Sequence, residues 1–248
     1  MYNPFSISGK TFLVTGASSG IGKSIAIECA RLGAKLVISG RNKERLSQTF
    51  SELEGSDHVE VLADLGKDEE ISELVSKCPK LDGIVHVAGI VKPKPFQFLN
   101  RSELVEVMNT NFFGPVLLTN EIIRKKLLKR GGSIVFISSI SGILCSFIGG
   151  SSYSASKGAI NGVVKGMALD LAHKGIRVNS IIPGMIDTNI FEGSGISEQD
   201  LENDRKRYPL GRYGRPEEVA YAVIYLLSDA SSWTTGSNIL MDGGYTLI

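Results

Sequence analysis

Residues 11–24 read TFLVTGASSGIGKS. A short β-branched and apolar run, Thr11 to Thr15, leads straight into three glycines, Gly16, Gly20 and Gly22. Beyond them Ile25, Ala26, Cys29 and Leu32 recur at helical spacing. A strand, a glycine turn and a helix in immediate succession predict a helix N-terminus whose unpaired N–H groups and positive dipole end face bare backbone. A pyrophosphate fits such a place, so Gly16, Ser18, Ser19, Gly20, Ile21 and Gly22 are candidate cofactor contacts. The spacing is G-x-x-x-G-x-G rather than the commoner G-x-G-x-x-G, so the strand before it and the helix after it carry the reading.

Outward from this stretch, apolar runs of strand length recur: TFLVTG (11–16), AKLVISG (34–40), HVEVLA (58–63), DGIVHVAG (82–89), SIVFISS (133–139), IRVNSIIPG (176–184) and NILMDGG (238–244). Most are continuous rather than alternating, which marks strands covered on both faces. Helical segments lie between them, among them PEEVAYAVIYLLSD, which opens on proline and two glutamates. The expected fold is α/β, a doubly wound parallel sheet of seven strands with helices on both faces, of Rossmann type. No linker or repeat divides the chain, so residues 1–248 are read as one domain. Its ligand is expected at the carboxyl ends of the strands. The polar, glycine-bearing segment 185–214 is expected to be a mobile flap over those ends, with a short helix near 197–207 and Phe191, Ile196 and Tyr208 lining a pocket.

Composition narrows the function. The 248 residues carry 27 basic and 26 acidic side chains, a net charge of +1. That leaves no nucleic-acid footprint. The one basic run, RKKLLKR at 124–130, reads as a solvated helix face near a helix end. Cys29, Cys78 and Cys145 are far apart and lack histidines at ligand spacing, so neither a disulfide framework nor a metal site is expected. No apolar run is long enough to span a membrane and the first residues lack a leader pattern, so a cytoplasmic location is expected.

At the end of the second strand, where an acid would accept bonds from an adenosine ribose, the chain has Ser39 and Arg41 in ISGRN. A carboxylate there would repel a 2'-phosphate and an arginine fork would grip one, so NADP(H) is favoured over NAD(H). After the third strand Asp64, beside Leu65, either meets an adenine amino group or caps the helix that begins near Lys67. Ala88 and Gly89 end the fourth strand beside the expected cofactor ribose.

The fifth strand ends near Ser139 and is followed by SSYSASKGA at 151–159, in which Tyr153 and Lys157 share a helical face. Taken together, TGASSGIG, Ser139 followed by YSASK, and PGMIDT resemble the single-domain short-chain dehydrogenase/reductase family. The likeness spans essentially the whole chain and is strongest to 3-oxoacyl-acyl-carrier-protein reductases. It implies that Tyr153 is a catalytic acid/base, Lys157 its partner, Ser139 a carbonyl-orienting hydroxyl and Asn111 the support of a proton relay. It also implies that Pro183, Gly184, Ile186 and Thr188 border the cofactor, with Thr188 at the nicotinamide carboxamide. A homotetramer is implied, as are basic residues, Arg130 and Lys174, facing an acidic carrier protein.

Two departures stand out. Residues 86–89 read HVAG where the family has NNAG, so the turn must be held without the second asparagine, and His86 reads as a packed core residue. Ser139 and Tyr153 are also 14 positions apart, one more than the family spacing.

These readings converge on an NADPH-dependent reductase that converts a ketone, such as a 3-oxoacyl thioester, to a secondary alcohol. The charge of Lys157, with that of an oxidised nicotinamide, is expected to lower the Tyr153 pKa. The alternatives are an NAD(P)-dependent dehydrogenase of a sugar, polyol or other small alcohol, and a dinucleotide-binding regulator without turnover.

Overall fold

The computed structural model describes residues 2–188 and 197–247. Seven strands form one sheet: β1 (Thr11–Thr15), β2 (Lys35–Gly40), β3 (Val59–Leu62), β4 (Leu81–His86), β5 (Leu128–Ile137), β6 (Arg177–Pro183) and β7 (Asn238–Met241). Their order across the sheet is β3-β2-β1-β4-β5-β6-β7 and every pairing is parallel. The expected seven-stranded doubly wound sheet is therefore what forms. The strand order reverses between β1 and β4, where Thr15 pairs with His86, and in such sheets that reversal opens a ligand crevice.

The described residues form eight α-helices: α1 (Gly20–Arg31), α2 (Lys43–Ser51), α3 (Asp68–Lys77), α4 (Arg101–Met108), α5 (Gly114–Arg124), α6 (Ser151–Leu171), α7 (Glu198–Arg205) and α8 (Pro216–Leu227). Alternate residues of each central strand enter opposite cores. Phe12, Val14, Leu36, Ile38, Val85 and Val135 pack with α1 and α8, whereas Leu13, Val37, Ile84, Ile134 and Phe136 pack with α3, α5 and α6. That double burial is why those runs read as continuous apolar stretches. The edge strand β3 is mostly exposed and β7 only partly buried, so the doubly covered reading holds for the inner five.

Pro216 starts α8 at its first turn, as its sequence signal predicts, and Ser197 caps α7 by accepting a hydrogen bond from Asp200 N at 3.1 Å. The RKKLLKR run differs from expectation: α5 ends at Arg124, Lys126 takes φ 55°, and β5 starts at Leu128. The run spans a helix end, a turn and a strand start rather than one helical face. No described helix is long and apolar enough to cross a membrane, and no described cluster of His, Cys, Asp and Glu could hold a metal ion.

His86 follows the alternation of β4 into the core beneath α5. Its ring stacks on Phe136 at 4.6 Å between centroids, and Nε2 lies 2.7 Å from Thr119 Oγ1. Thr119 donates its own hydroxyl proton to Pro115 O, so Nε2 must be the protonated nitrogen that donates to Thr119. The imidazole is neutral, and burial pushes its pKa from the ordinary 6.5 down to about 3. His86 is thus the packed residue its apolar strand predicts.

A histidine with a depressed folded-state pKa stabilises the fold above its unfolded pKa. That stability is lost as pH falls from about 6.5 toward about 3, because only the unfolded chain takes up the proton. The stability difference between the natural chain and a His86→Asn variant, measured by urea denaturation, should shrink or reverse by about 1 kcal/mol between about pH 7 and about pH 5.5. Parallel pH curves would contradict this placement.

Candidate active site

The glycine loop lies at the carboxyl end of β1. Gly16 adopts φ 69°, and a Cβ on it would sit 2.6 Å from Ala88 N. A Cβ on Gly22 would meet Gly16 O at 2.2 Å, so the first turn of α1 folds against the loop only without side chains there. Ser19, the N-cap of α1, is extended and makes no side-chain cap, and the first turn holds no acidic residue. Among the described residues no side chain takes the leading N–H groups and the first turn of α1 carries no carboxylate, so the cradle fits a pyrophosphate. Ile21 packs on the core below, and Ser18 lies against Gly40, whose added Cβ would meet Ser18 Oγ at 3.1 Å.

At the outer end Ser39 is buried on β2 and Arg41 is exposed, with Nη1 3.9 Å from Asp64 Oδ2. Asp64 does not cap α3. Its Oδ1 accepts from Gly66 N at 2.9 Å, its own N–H donates to Glu70 Oε2 at 2.7 Å, and the N-cap of α3 is Lys67. An Asx turn that starts three residues ahead of the cap has taken the carboxylate, which removes the capping alternative. Leu65 is buried against Gly114, where a Cβ would meet Leu65 O at 2.3 Å.

The HVAG turn is held by Thr15. Its Oγ1 accepts from Val87 N at 3.2 Å and lies 3.5 Å from Ala88 N. A hydroxyl from the neighbouring strand thereby supports the turn where Val87 has no polar side chain. A Cβ on Gly89, next along, would lie 3.3 Å from Asn111 Oδ1 and 3.7 Å from Lys157 Nζ, so the chain passes close over both.

Asn111 is buried within a single π-helical turn, Asn109–Phe113, between α4 and α5. Its Oδ1 accepts from Ile90 N at 2.7 Å, and its Nδ2 donates to Ile90 O at 2.9 Å and to Ser156 Oγ at 3.0 Å. Such turns break the helical ladder locally and turn a side chain aside. Here the amide is turned toward the β4 loop and α6 together.

Helix α6 carries Tyr153 and Lys157. The Lys157 ammonium is 5% exposed, donates to Ile137 O at 2.7 Å and sits 5.7 Å from the Tyr153 ring centroid. Burial lowers its pKa from 10.5 to about 8. The Tyr153 phenol is raised by burial, and a hydrogen bond with Ser139 offsets part of that rise. The expected lowering by Lys157 is therefore not seen in the protein alone, where desolvation of the phenol outweighs a lysine already bonded to a carbonyl.

The two serines ending β5 separate cleanly. Ser138 is buried; its hydroxyl donates to Lys157 O at 3.1 Å and accepts from Asn161 Nδ2 at 2.9 Å, and Asn161 Oδ1 accepts from Ser180 Oγ at 3.1 Å. This buried network pins α6 to β5 and β6. Ser139 is partly exposed and faces Tyr153. The extra residue between Ser139 and Tyr153 is absorbed in the loop, where Leu144 N and Cys145 N both donate to Ile140 O and Gly142 N to Cys145 O.

Pro183 and Gly184 end β6, and Gly184 N donates to Met241 O at 2.9 Å. Ile186 bridges to Gly214, and Thr188 Cγ2 would lie 3.2 Å from a Cβ on Gly20, which brings this segment to the glycine loop. Phe191 and Ile196 lie outside the described residues. Tyr208 does not line an open pocket as expected. It is buried between Tyr213 and Tyr245, and its hydroxyl accepts from Met185 N at 3.2 Å.

Arg130 and Lys174 lie at the amino-terminal ends of β5 and β6, opposite the edge that carries Ser139 and Gly184. Neither faces this chain's own crevice. Sequence reasoning passed over Asn161, Thr15 and Phe147. Asn161, one turn beyond Lys157, was the legible one, a polar residue on a face that must pack against the sheet.

Residues 16–246 match the family model described as Enoyl-(Acyl carrier protein) reductase. The chain is 38% identical over 242 residues to the 3-oxoacyl-(acyl-carrier-protein) reductase FabG of Rickettsia prowazekii, covering 98% of this chain and 99% of that protein. It is 34% identical over 250 residues to the gluconate 5-dehydrogenase of Gluconobacter oxydans, covering 98% and 97%. A solved short chain dehydrogenase/reductase family protein superposes with a TM-score of 0.84 at 32% identity, over 98% of this chain and 100% of that one. With its parallel sheet, glycine cradle and the Ser139, Tyr153 and Lys157 cluster, the chain belongs to the short-chain dehydrogenase/reductase family of NAD(P)-dependent oxidoreductases.

Proposed function

We propose that the chain reduces a ketone to a secondary alcohol, that its substrate is a 3-oxoacyl thioester, and that Tyr153 is the general acid. The observation that carries this reading is the Ser139 hydroxyl beside the buried Tyr153 phenol, near enough to lower its pKa, with Lys157 one helical turn away. Two hydroxyl donors converging on one point suit a carbonyl oxygen that gains negative charge. Reduction of an enoyl thioester, which the description of the family model names, would also place charge on a carbonyl oxygen, as an enolate; the relatives named as 3-oxoacyl reductases favour the ketone. NADPH, when bound, supplies the hydride.

The residues divide the remaining work. Ser139 donates a hydrogen bond to the carbonyl oxygen and Tyr153 delivers the proton. Burial keeps that proton on the phenol at neutral pH, which suits the reductive direction. The Lys157 ammonium stabilises the tyrosinate left behind, and Asn111, anchored to Ile90 and Ser156, lines the route by which the proton is replaced. The cradle of Gly16, Ser18, Ser19, Gly20, Ile21 and Gly22 would hold the pyrophosphate, and Ser39, Asp64, Leu65, Ala88 and Gly89 the adenosine and ribose side. Pro183, Gly184, Ile186 and Thr188 would border the nicotinamide.

NADP(H) is the preferred cofactor in this reading. The Arg41 side chain is exposed and its contact with Asp64 is long, so the guanidinium is free to turn to a 2'-phosphate. The relative named as a 3-oxoacyl reductase supports the thioester; the gluconate 5-dehydrogenase keeps a keto-sugar as the second reading. Exposed Val105, Phe113 and Leu117 along α4 and α5 support assembly into a homotetramer. We assign 185–214 as the substrate flap; docking of a carrier protein on Arg130 and Lys174 would have to serve another subunit.

Tyr153→Phe should lower kcat for NADPH-dependent reduction of a 3-oxoacyl thioester by about 100-fold or more while leaving NADPH binding intact, read from NADPH oxidation and fluorescence titration. Near-normal turnover would remove Tyr153 from its role. For the natural enzyme, reductive kcat should be level below neutrality and fall as pH rises through about 8, because the Lys157 ammonium is lost there. A level profile well above that range would contradict the role given to the ammonium. Arg41→Ala should raise KM for NADPH by about tenfold and leave KM for NADH nearly unchanged. Equal effects on both would assign Arg41 no part in cofactor choice.

A further inference from the structure

We propose that Phe147 determines substrate specificity, as an apolar wall beside Tyr153 that selects ketones carrying a hydrocarbon branch over polyhydroxylated ones. The inference deepens the proposed function and rests on Tyr153 as the proton donor. Phe147 lies in the loop between β5 and α6. Its ring centroid is 6.1 Å from that of Tyr153, tilted by 51°. The ring covers the start of α6 so closely that a Cβ on Gly150 would lie 2.8 Å from it, and Gly150 N donates to Phe147 O at 2.9 Å. The phenyl group is thus fixed next to the reacting tyrosine, yet 41% of the residue remains exposed. Carbon surface is turned outward where a substrate branch must pass.

Among the described residues most polar groups around that wall are already paired with one another, the buried Glu103 Oε2 excepted. The Ser146 and Ser154 hydroxyls share a hydrogen bond at 2.8 Å, and Ser156 donates to Tyr153 O at 2.7 Å. Lys94 binds Glu103 at 2.6 Å and Lys92 binds Glu106 at 2.5 Å. Lys94 N donates to Gly149 O at 2.9 Å and so ties residues 90–98 to the loop. Those two joined segments expose Phe96, Phe98 and Ile148, the last at 95%. A sugar chain entering here would have to leave hydroxyls facing carbon, whereas a hydrocarbon chain would leave no group unpaired. A single methylene in an apolar pocket changes kcat/KM by about 10- to 200-fold, so one phenyl wall suffices to separate the two classes.

The test measures kcat/KM with saturating NADPH for the full-length natural enzyme, Phe147→Asn and Phe147→Leu. The probes are 2-butanone, 2-octanone, the N-acetylcysteamine thioesters of the corresponding short and long 3-oxo acids, and 5-ketogluconate. The natural enzyme should prefer the long ketones to 5-ketogluconate. Phe147→Asn should lower the long-to-short ratio by about tenfold or more, and Phe147→Leu should keep it within about threefold. An unchanged ratio in Phe147→Asn, or a natural enzyme that prefers 5-ketogluconate, would overturn the proposal. If the free ketones respond to Phe147→Asn but neither thioester is reduced, the thioester reading fails and the wall stands. If thioesters are reduced with an unchanged ratio, the wall fails and the thioester reading stands.

Discussion

The closeness of β1 and β4 at their carboxyl ends is the constraint from which the site follows. A methyl group on Gly16 would already collide with the backbone of Ala88. That approach brings the α1 N-terminus within reach of the β4 turn, and Thr15, the last residue of β1, supports that turn with its hydroxyl. An anion-binding helix end and a narrow crevice thus come from the same contact. Gly89 extends it by passing over Asn111 and Lys157, so the phosphate cradle and the reactive cluster form one continuous edge.

The second half of the site depends on how α6 is fixed to that edge. Ser138, Asn161 and Ser180 form a chain of buried hydrogen bonds beneath the helix. Such a network, which Ser180 extends to Asn238 Oδ1 at 2.6 Å, sets a rotation and a height for the helix that apolar packing alone would leave looser. The adjacent serines at the end of β5 therefore do different things: Ser138 anchors the helix, and Ser139 meets the tyrosine the helix carries. The π turn at Asn111 aims a side chain from the opposite helix at the same place.

Much of this was legible in the sequence, for identifiable reasons. The doubly wound sheet follows from strands alternating with helices, the double covering of the inner strands from continuous apolar runs, and the glycine cradle from three small residues between a strand and a helix. Asp64 was ambiguous because an Asx turn and a helix cap use the same residue type, and only the start of α3 at Asp68 separates them. Tyr208 was misread because an aromatic residue in a polar segment looks like a pocket wall; its partners, Tyr213 and Tyr245, are set by tertiary contact. Arg130 and Lys174 resembled a docking patch by position in the chain, but the direction of β5 and β6 puts them at the far edge. The Tyr153 pKa was expected to fall under Lys157 and an oxidised nicotinamide together, and in the protein without the nicotinamide desolvation of the phenol raises it.

Under the proposed function, burial holds Tyr153 protonated in the chain alone, and the tyrosinate becomes accessible only when a positive nicotinamide joins Lys157 beside it. Ultraviolet titration of the tyrosinate band, as the difference between the natural chain and Tyr153→Phe with and without NADP+, measures it directly. A Tyr153 transition above the ordinary phenol range is expected in the free protein, with a shift of more than one pH unit downward when NADP+ is bound. A Tyr153 transition already below the ordinary range in the free protein, or one that NADP+ leaves in place, would contradict it.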